Sequence, residues 1–186
     1  TVDELSYLNI ALSINDGRWF RMPLQEQCYL YSYNSSEVFP QFFRAPLYPA
    51  VLAFCLSIFK QVSPIAVALF LNIIFNTLSG YFVYRIVISI KGIIPAIIAF
   101  FVFITNPFVI DQCSRTPIMT ESLFTFLISL SLFSLMKFEE NPNALRAVST
   151  GIIIGLGVLC KSPFATLIAI LMIRYSMFII KQRIPR

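Results

Sequence analysis

Residues 64–88 read PIAVALFLNIIFNTLSGYFVYRIVI, a run of 25 residues in which Arg85 is the only charged side chain. A helix rises about 1.5 Å per residue, so this run is longer than the roughly 30 Å needed to cross the hydrocarbon core of a bilayer. Four further apolar runs follow, and Lys, Gly, Asn and Pro residues separate them. These runs are 92–110, 117–136, 146–160 and 164–180. Allowing for tilt, the pattern predicts five membrane-spanning helices.

The composition agrees with a membrane protein. Of the 186 residues, 58% are hydrophobic and only 12% are charged. A soluble domain has about a quarter of its residues charged. The sequence therefore predicts an all-α, polytopic membrane helix bundle. The net charge of +5 is spread among apolar runs and forms no basic stripe, which excludes nucleic acid as a partner.

The residue types limit the chemistry that the chain can perform. Histidine is absent, which removes the commonest general base and the commonest zinc ligand. The four cysteines, Cys28, Cys55, Cys113 and Cys160, are widely spaced and form no CxxC motif, so no metal or redox site is indicated. A Cys28–Cys113 disulfide stays open as a pairing if both face outward. Acid–base work then falls to Asp, Glu, Lys or Tyr.

The chain divides into an outer part, residues 1–62, and a transmembrane part, residues 63–186. Residues 3–16 predict a helix that ends at Asn15-Asp16-Gly17 and lies in the interface, because it is too short and polar to span. Residues 46–60 predict a second interfacial helix, since 15 residues fall short of the roughly 20 that a span needs. The segment 18–44 between them is irregular. Its alternating Tyr29, Tyr31 and Tyr33 allow a short strand or an aromatic belt. The first residues carry no initiator methionine or signal sequence, and we interpret the chain as a portion of a larger membrane protein.

Charge predicts the orientation. With five spans, one side carries seven Lys or Arg against two Glu, and the other carries six against seven Asp or Glu. Three of those six basic residues lie in the long loop, which is weak evidence for topology. The side with the excess of positive charge is therefore predicted to be cytoplasmic. Ionisable residues from four separate segments then gather on the non-cytoplasmic face: Asp3, Glu4, Arg44, Lys60, Asp111, Arg115, Glu121 and Lys161.

Five of these residues are candidates for chemistry. Asp3-Glu4 can act as a general base for a hydroxyl, or can simply stabilise the start of a helix. Arg44 can hold a phosphate through its planar guanidinium, or can anchor the helix that follows in the interface. Glu121 either caps its helix or, because a carboxylate near hydrocarbon is costly, serves a function. Lys161 can hold a lipid phosphate or extend towards the headgroups.

Two other features have mainly structural interpretations. Residues 151–155 form a GxxxG pattern, which permits close packing of helices. Arg174 lies inside the last apolar run and needs a partner or a wet cavity.

The order of these motifs resembles the multi-span glycosyltransferases of the GT-C fold. It is most similar to the protein O-mannosyltransferases and the bacterial aminoarabinose transferase of lipid A. The pieces that carry the resemblance are, in chain order, Asp3-Glu4, Tyr7, Ala11, Arg44, Pro46-Leu47-Tyr48, Thr120-Glu121 and the stretch 155–161, GLGVLCK. The similarity covers nearly all of the chain, which corresponds to the family's N-terminal half without its first span.

The resemblance implies a role for each candidate. Asp3 matches the catalytic aspartate that activates the acceptor, and Glu4 matches its acidic neighbour. Arg44 matches a residue that contacts the phosphate of a polyprenyl donor, and Lys161 matches a second basic residue. Glu121 matches an acidic residue of the second outer loop. Such enzymes are inverting, and a cation beside the leaving phosphate would stabilise its developing charge.

Two positions depart from the aminoarabinose enzyme. Ser6 stands where that enzyme has a phosphate-gripping arginine, and Phe43 stands where it has a zinc-binding glutamate. We therefore expect no zinc at position 43. No cofactor is implied with certainty, and a divalent cation is left open.

The sequence therefore predicts a membrane glycosyltransferase that takes a sugar from a polyprenyl-phosphate-linked donor. The acceptor is a glycan, a lipid or a protein, and membrane lipids are the remaining partners. The active site is expected on the non-cytoplasmic face of a bacterial inner membrane. The alternative is a non-enzymatic transporter, channel subunit or scaffold, which would explain the spans but not the gathering of acids and bases on one face.

Overall fold

A computed structural model describes residues 2–17, 21–23, 38–40, 45–114, 118 and 120–171. The fold is a helix bundle, which confirms the predicted all-α class. Its helices are α1 (Val2–Asn15), α2 (Leu47–Ile58), α3 (Pro64–Lys91), α4 (Ile93–Ile104), α5 (Pro107–Gln112), α6 (Glu121–Glu140) and α7 (Ala144–Cys160). A further helix, α8, begins at residue 164 and is described to residue 171.

A small β-ribbon lies in the long segment between α1 and α2. Strand β1 (Arg21–Pro23) pairs antiparallel with β2 (Val38–Pro40), and Met22 lies opposite Phe39. The sequence did not predict these strands, because three-residue strands are too short to show an alternating pattern. The tyrosines at 29, 31 and 33, where a strand was one alternative, lie outside the described residues.

Helices are found at both places where the sequence predicted short helices, over 3–16 and 46–60. Helix α1 stops at the predicted glycine: Gly17 has φ +75°, and its amide donates to the Ile14 carbonyl at 3.0 Å. Helix α2 has 12 residues, or about 18 Å of rise, and is too short to cross a bilayer. The ring of Tyr7 in α1 packs edge-on against the ring of Tyr48 in α2, with centroids 5.6 Å apart.

Helices α3 and α6 are long and apolar enough to span a membrane. Helices α4 and α7 are shorter apolar helices. The predicted single span over 92–110 is wrong, because the structure divides it into α4 and α5. Pro107 begins α5, and the Asn106 side chain accepts the Phe108 amide at 2.9 Å. Proline lacks the N–H that would continue α4, so the chain starts a new helix here.

Helices α3 and α6 run in the same direction. Asn76 of α3 bonds to Ser122 at the start of α6, and Arg85, two and a half turns further along α3, lies over Phe133 of α6. Helix α7 returns antiparallel to α6, since Ser134 bonds to Thr150 at 2.6 Å. The bundle therefore has two ends. We call them the Glu121 end, where α6 begins and α7 finishes, and the Arg85 end, where α6 finishes and α7 begins.

One hydrophobic core joins the two short helices to the bundle at the Glu121 end. It contains residues of α1, α2, α3, α6 and α7, among them Tyr7, Tyr48, Leu52, Leu71, Leu123, Leu127, Cys160 and Phe164. Elsewhere the helices expose large apolar side chains, including Phe70, Ile94, Ile98, Phe101 and Val102. So much exposed apolar surface on helices is characteristic of contact with lipid.

Close packing on α7 occurs at a glycine outside the GxxxG pattern. A Cβ atom at Gly151 or Gly155 would meet no atom of the described residues within 4 Å, so this part of the chain does not use the predicted close approach. A Cβ atom at Gly157 would instead overlap the ring of Phe164. The tight turn between α7 and α8 thus depends on Gly157, because it folds the Phe164 ring back against α7.

Candidate active site

An ion pair links the ends of two membrane helices at the Glu121 end. Glu121 is the first residue of α6, and Lys161 directly follows the last residue of α7. The Lys161 ammonium donates to Glu121 Oε1 at 2.8 Å, with side chains 37% and 28% exposed respectively. The two residues are 40 apart in sequence, and the structure brings them together.

Apolar and backbone contacts hold this pair in place. The Lys161 amide donates to the Gly157 carbonyl, which fixes where α7 ends. The ammonium lies 5.7 Å from the ring centroid of Phe124, one turn along α6 from the carboxylate. The Phe124 ring in turn packs edge-on against the buried ring of Phe164. The pair therefore rests on an aromatic layer that excludes water from one side, which strengthens the attraction between the charges.

Both members of the pair keep unused hydrogen-bonding capacity. Glu121 Oε2 is buried and has no hydrogen-bond partner among the described residues. A lysine ammonium has three donors, and Lys161 gives one of them to Glu121. Lys161 can therefore offer donors to a ligand while it stays bonded to Glu121, whereas the buried Oε2 atom is not accessible to a ligand in this structure.

A buried polar network fixes the start of α6 from the opposite side. Asn76 donates to Ser122 Oγ at 3.2 Å and to Cys113 Sγ at 3.3 Å. Ser122 donates to Gln112 Oε1 at 3.1 Å, and Asn72 donates to the Gln112 carbonyl at 2.9 Å. Buried amides of this kind are costly unless they are bonded, so the network fixes α5 and α6 against α3.

Sequence reasoning did not identify this network. One pattern in the sequence does indicate a polar contact: Asn72 and Asn76 are four residues apart in an otherwise apolar helix, and so share one face. Nothing in the sequence showed that this face meets the loop that leads to Glu121.

An open cavity lies beside α5. It has a volume of about 720 Å³ and is lined by Asn106, Phe108, Asp111 and Ser114, among others. Asp111 brings a second carboxylate to this side of the bundle, as the predicted topology requires. Its lining is a mixture of apolar and polar groups, which suits an amphipathic ligand more than an ion.

The acidic pair of the N-terminal helix lies in the first turn of α1. Asp3 and Glu4 follow the first helical residue, Val2, and Glu4 is partly buried. The side chain of Asp3 and the whole of Arg44 lie outside the described residues. Helix α1 itself is held at the Glu121 end, because Tyr7 and Tyr48 belong to the same core as Cys160 and Phe164. The structure thus brings the backbone carrying Asp3-Glu4 to the end of the bundle that holds Glu121 and Lys161.

The part of the chain that the structure describes offers no protein-held metal site. Within it, no three His, Cys, Asp or Glu side chains lie close enough together to bind an ion. Metal sites held by protein side chains alone need about that many ligands.

Residues 43–185 match the family described as dolichyl-phosphate-mannose-protein mannosyltransferase. The chain belongs to this family of membrane-integral glycosyltransferases, and the predicted resemblance is confirmed. Arg44, Glu121 and Lys161 lie within the matched segment, whereas Asp3 and Glu4 precede it. Neither the curated proteins nor the solved structures contain a match to the chain.

Proposed function

We propose that this chain transfers a sugar from a polyprenyl-phosphate-linked donor to an acceptor hydroxyl, with inversion, on the non-cytoplasmic face of the membrane. Membership of the mannosyltransferase family supports glycosyl transfer. The observation that carries the finer proposal is the Glu121–Lys161 pair, placed at the end of the bundle where α1 packs. A bacterial inner membrane is the proposed location, with a glycan, a lipid or a protein as acceptor.

In the proposed reaction Asp3 accepts the proton of the acceptor hydroxyl. The oxygen then attacks the anomeric carbon of the sugar, and the bond from that carbon to the phosphate oxygen breaks. The polyprenyl phosphate leaves with the bonding electron pair, so the phosphate gains negative charge. A single displacement of this kind inverts the anomeric centre. Because a neutral hydroxyl is a weak nucleophile, a positioned carboxylate accelerates the reaction.

Arg44 and Lys161 are the proposed cations for the phosphate. Arg44 can bind two phosphate oxygens at once through its guanidinium. Lys161 keeps two N–H donors beyond the one bonded to Glu121, so it can bridge Glu121 Oε1 and a phosphate oxygen. Cations that are already in position when the charge develops stabilise the transition state most effectively.

Glu121 is proposed as a positioning residue. Its Oε1 atom orients the Lys161 ammonium. Glu4 stands beside Asp3 and supplies a second carboxylate in the first turn of α1. No step of the proposal uses a metal. A divalent cation carried by the donor phosphate would show itself as loss of transfer after treatment with EDTA.

The orientation rests on charge and can be tested independently of activity. The Arg85 end carries Arg85, Lys91, Lys137 and Arg146 against Glu139 and Glu140, which favours the cytoplasm. A cysteine introduced at Ser162 should then react with a membrane-impermeant maleimide in intact cells, and one at Asn141 should react only after lysis. The reverse labelling pattern would contradict the proposed face.

The donor site is tested by native mass spectrometry of the full-length protein purified from its own membranes. We expect the wild type to carry a polyprenyl phosphate or its glycosyl form, and Arg44→Ala to lose it. Lys60→Ala is the matched control, because Lys60 is an exposed cation just after α2. If no such lipid is found in any sample, or if Lys60→Ala loses it equally, the donor assignment is wrong.

The proposed base is tested by turnover with the donor that mass spectrometry identifies. Asp3→Asn should abolish transfer while the donor still binds, since the amide is close in size but cannot accept the proton. Asp16→Asn makes the same change at the exposed end of α1 and should leave turnover unchanged. Wild-type turnover in Asp3→Asn would remove Asp3 from the mechanism. A protein that binds no donor and transfers no sugar would instead favour a transporter or scaffold.

A further inference from the structure

The Arg85 end contains a cluster of cations and aromatic rings that the proposed reaction does not use. The Arg85 guanidinium donates to the Tyr81 hydroxyl at 2.6 Å and lies 5.7 Å from the centroid of that ring. It also lies 5.5 Å from the ring centroid of Phe133. The Lys137 ammonium lies 5.8 Å from the same Phe133 ring, so two cations share one aromatic surface.

This cluster has an excess of positive charge. Lys137 pairs with Glu140 at 2.6 Å, but within the described segments no carboxylate forms an ion pair with Arg85. A guanidinium carries five N–H donors, and the Tyr81 hydroxyl takes one of them. The remaining donors point to an anionic ligand with several acceptor oxygens, because cations near hydrocarbon need counter-charges.

The cluster lies in about the last two turns of α6, within reach of lipid headgroups for long basic side chains. Helix α6 has 20 residues, which gives about 30 Å of rise and matches the hydrocarbon thickness of a bilayer. Lys137 lies in the last turn of this helix, and Phe133 lies one turn before it. Arg85 contacts Phe133, which lies about two turns, or about 10 Å, before the end of α6, and its long side chain can extend from there towards the headgroups.

A neighbouring arginine is used structurally. Arg146 donates to the carbonyls of Lys137 and Asn141 at 2.7 and 3.2 Å, and so closes the turn between α6 and α7. This fixes the backbone of Lys137 close to the Phe133 ring. Arg146 is thus engaged in the turn, which leaves Arg85 and Lys137 as the cations of this aromatic cluster that can bind a ligand.

We propose that Arg85 and Lys137, on the aromatic frame of Tyr81 and Phe133, bind the phosphate of an anionic phospholipid. The guanidinium supplies paired N–H donors that match phosphate oxygens, and the ammonium, whose charge Glu140 partly balances, supplies the N–H donors that it does not give to Glu140. The lipid belongs to the leaflet at the Arg85 end, which is the proposed cytoplasmic leaflet. Basic groups between membrane helices on that side are suited to anionic headgroups. The inference does not depend on the proposed sugar transfer.

The test is native mass spectrometry of the full-length protein in detergent, titrated with phosphatidylglycerol or phosphatidylcholine. Arg85→Gln should weaken phosphatidylglycerol binding by about tenfold or more, because a charge-assisted hydrogen bond is lost together with the charge. Lys91→Gln is the matched control: it removes one charge from the exposed last residue of α3, at the same end of the bundle. Lys91→Gln should weaken phosphatidylglycerol binding by only about fivefold, which is the effect of losing one cation that acts through long-range attraction alone.

Two further variants separate the proposed site from general charge effects and from misfolding. Arg85→Lys keeps the charge without the planar fork and should weaken binding by less than Arg85→Gln. Tyr81→Phe keeps every charge and removes only the hydroxyl that orients Arg85, so it should also weaken phosphatidylglycerol binding. If Arg85→Gln fails to fold, Tyr81→Phe alone decides, and unchanged binding in that variant overturns the proposal.

Other outcomes would also contradict the assignment. Equal losses in Arg85→Gln and Lys91→Gln would mean that the lipid responds to net charge and not to a site. Equal binding of phosphatidylcholine would exclude an anionic headgroup as the ligand. Inorganic phosphate serves as the remaining probe: if it displaces phosphatidylglycerol at equal concentration, the site takes a free anion and the lipid assignment is wrong.

Discussion

Replacing Gly157 by alanine should destabilise the protein, although alanine is the better helix former. Gly157 lies in the last turn of α7, and the ring of Phe164 occupies the space that a Cβ atom would need. Phe164 is only 1% exposed and packs edge-on against Phe124, with ring centroids 5.7 Å apart. The ring cannot move aside without leaving the core, so the added methyl group must displace α8 or the end of α7.

The expected magnitude comes from two opposing effects. Adding a methyl group to a well-packed core costs about 1–3 kcal/mol. Replacing glycine by alanine inside a helix contributes about 1 kcal/mol of stability. The net result for Gly157→Ala is a decrease of up to about 2 kcal/mol in the free energy of unfolding. In a chain of 186 residues, each kcal/mol lowers the melting temperature by about 2–4 °C.

The same helix provides two matched controls. Gly151 and Gly155 have no atom of the described residues within 4 Å of an added Cβ atom. Gly151→Ala and Gly155→Ala should therefore gain helix propensity without a clash, and should raise the melting temperature. Thermal unfolding followed by circular dichroism in one detergent compares all three. The sign of the change, and not only its size, separates Gly157 from the other two.

A second substitution tests the cause. Phe164→Leu removes the ring that causes the clash. In a protein that already carries Phe164→Leu, the further change Gly157→Ala should therefore cost much less stability than it does in the wild type. A double-mutant cycle with these two changes should show a coupling of about 0.5–3 kcal/mol, as contacting residues do. If Gly157→Ala is as stable as Gly155→Ala, or if the two changes are additive, then Phe164 does not pack on Gly157 and the described end of α7 is wrong.

Three other substitutions test the described contacts. Asn76→Leu should cost about 1–3 kcal/mol and speed amide hydrogen exchange at the start of α6, because Ser122 loses its buried donor; unchanged exchange there would contradict the network. Asn143→Ala should lower stability by about 1 kcal/mol in the same thermal assay, since its side chain accepts the Arg146 amide at 2.8 Å and caps α7. Arg146→Gln should loosen the turn between α6 and α7, because the guanidinium no longer donates to the carbonyls of Lys137 and Asn141. Faster exchange confined to that turn is the expected result, and the same rate as in the wild type would refute the contact.

Much of the fold could be predicted from local sequence signals. Helix α1 ends at Gly17 because glycine readily adopts a positive φ, and α6 ends at Glu140 because Asn141-Pro142 follows it. Both effects act within a few residues of the chain. The short length of α2 followed from counting residues. The prediction failed over 92–110, where Asn106-Pro107 lies inside a run that was treated as one span. A proline at the first helical position starts a new helix, and a sequence does not show how far the axis turns there.

The candidate site was only partly predictable. Glu121 and Lys161 were each identified as ionisable residues near a membrane surface, and the topology placed both on the same side. That they bond to each other could not be deduced, because contact between residues 40 apart depends on how α6 and α7 pack. The same reason explains the misplaced glycine contact. A GxxxG pattern gives small residues at one face of a helix, but the neighbour that approaches it is set by tertiary packing.

The Glu121–Lys161 bond changes how donor binding should be understood. Considered from the sequence, Lys161 was a free cation for the phosphate. Bonded to Glu121 at 2.8 Å, the pair has little net charge at a distance, and so contributes little long-range attraction for an anionic donor. Within contact distance the two remaining N–H donors of Lys161 still favour a phosphate oxygen. A phosphate oxygen displaced towards Glu121 would instead be repelled by its carboxylate. We therefore expect Arg44 to determine how tightly the donor binds and Lys161 to determine where its phosphate lies. Lys161→Ala should consequently lower turnover of the donor more than its binding, whereas Arg44→Ala should lower binding more, and the same ratio of losses in both variants would refute this division.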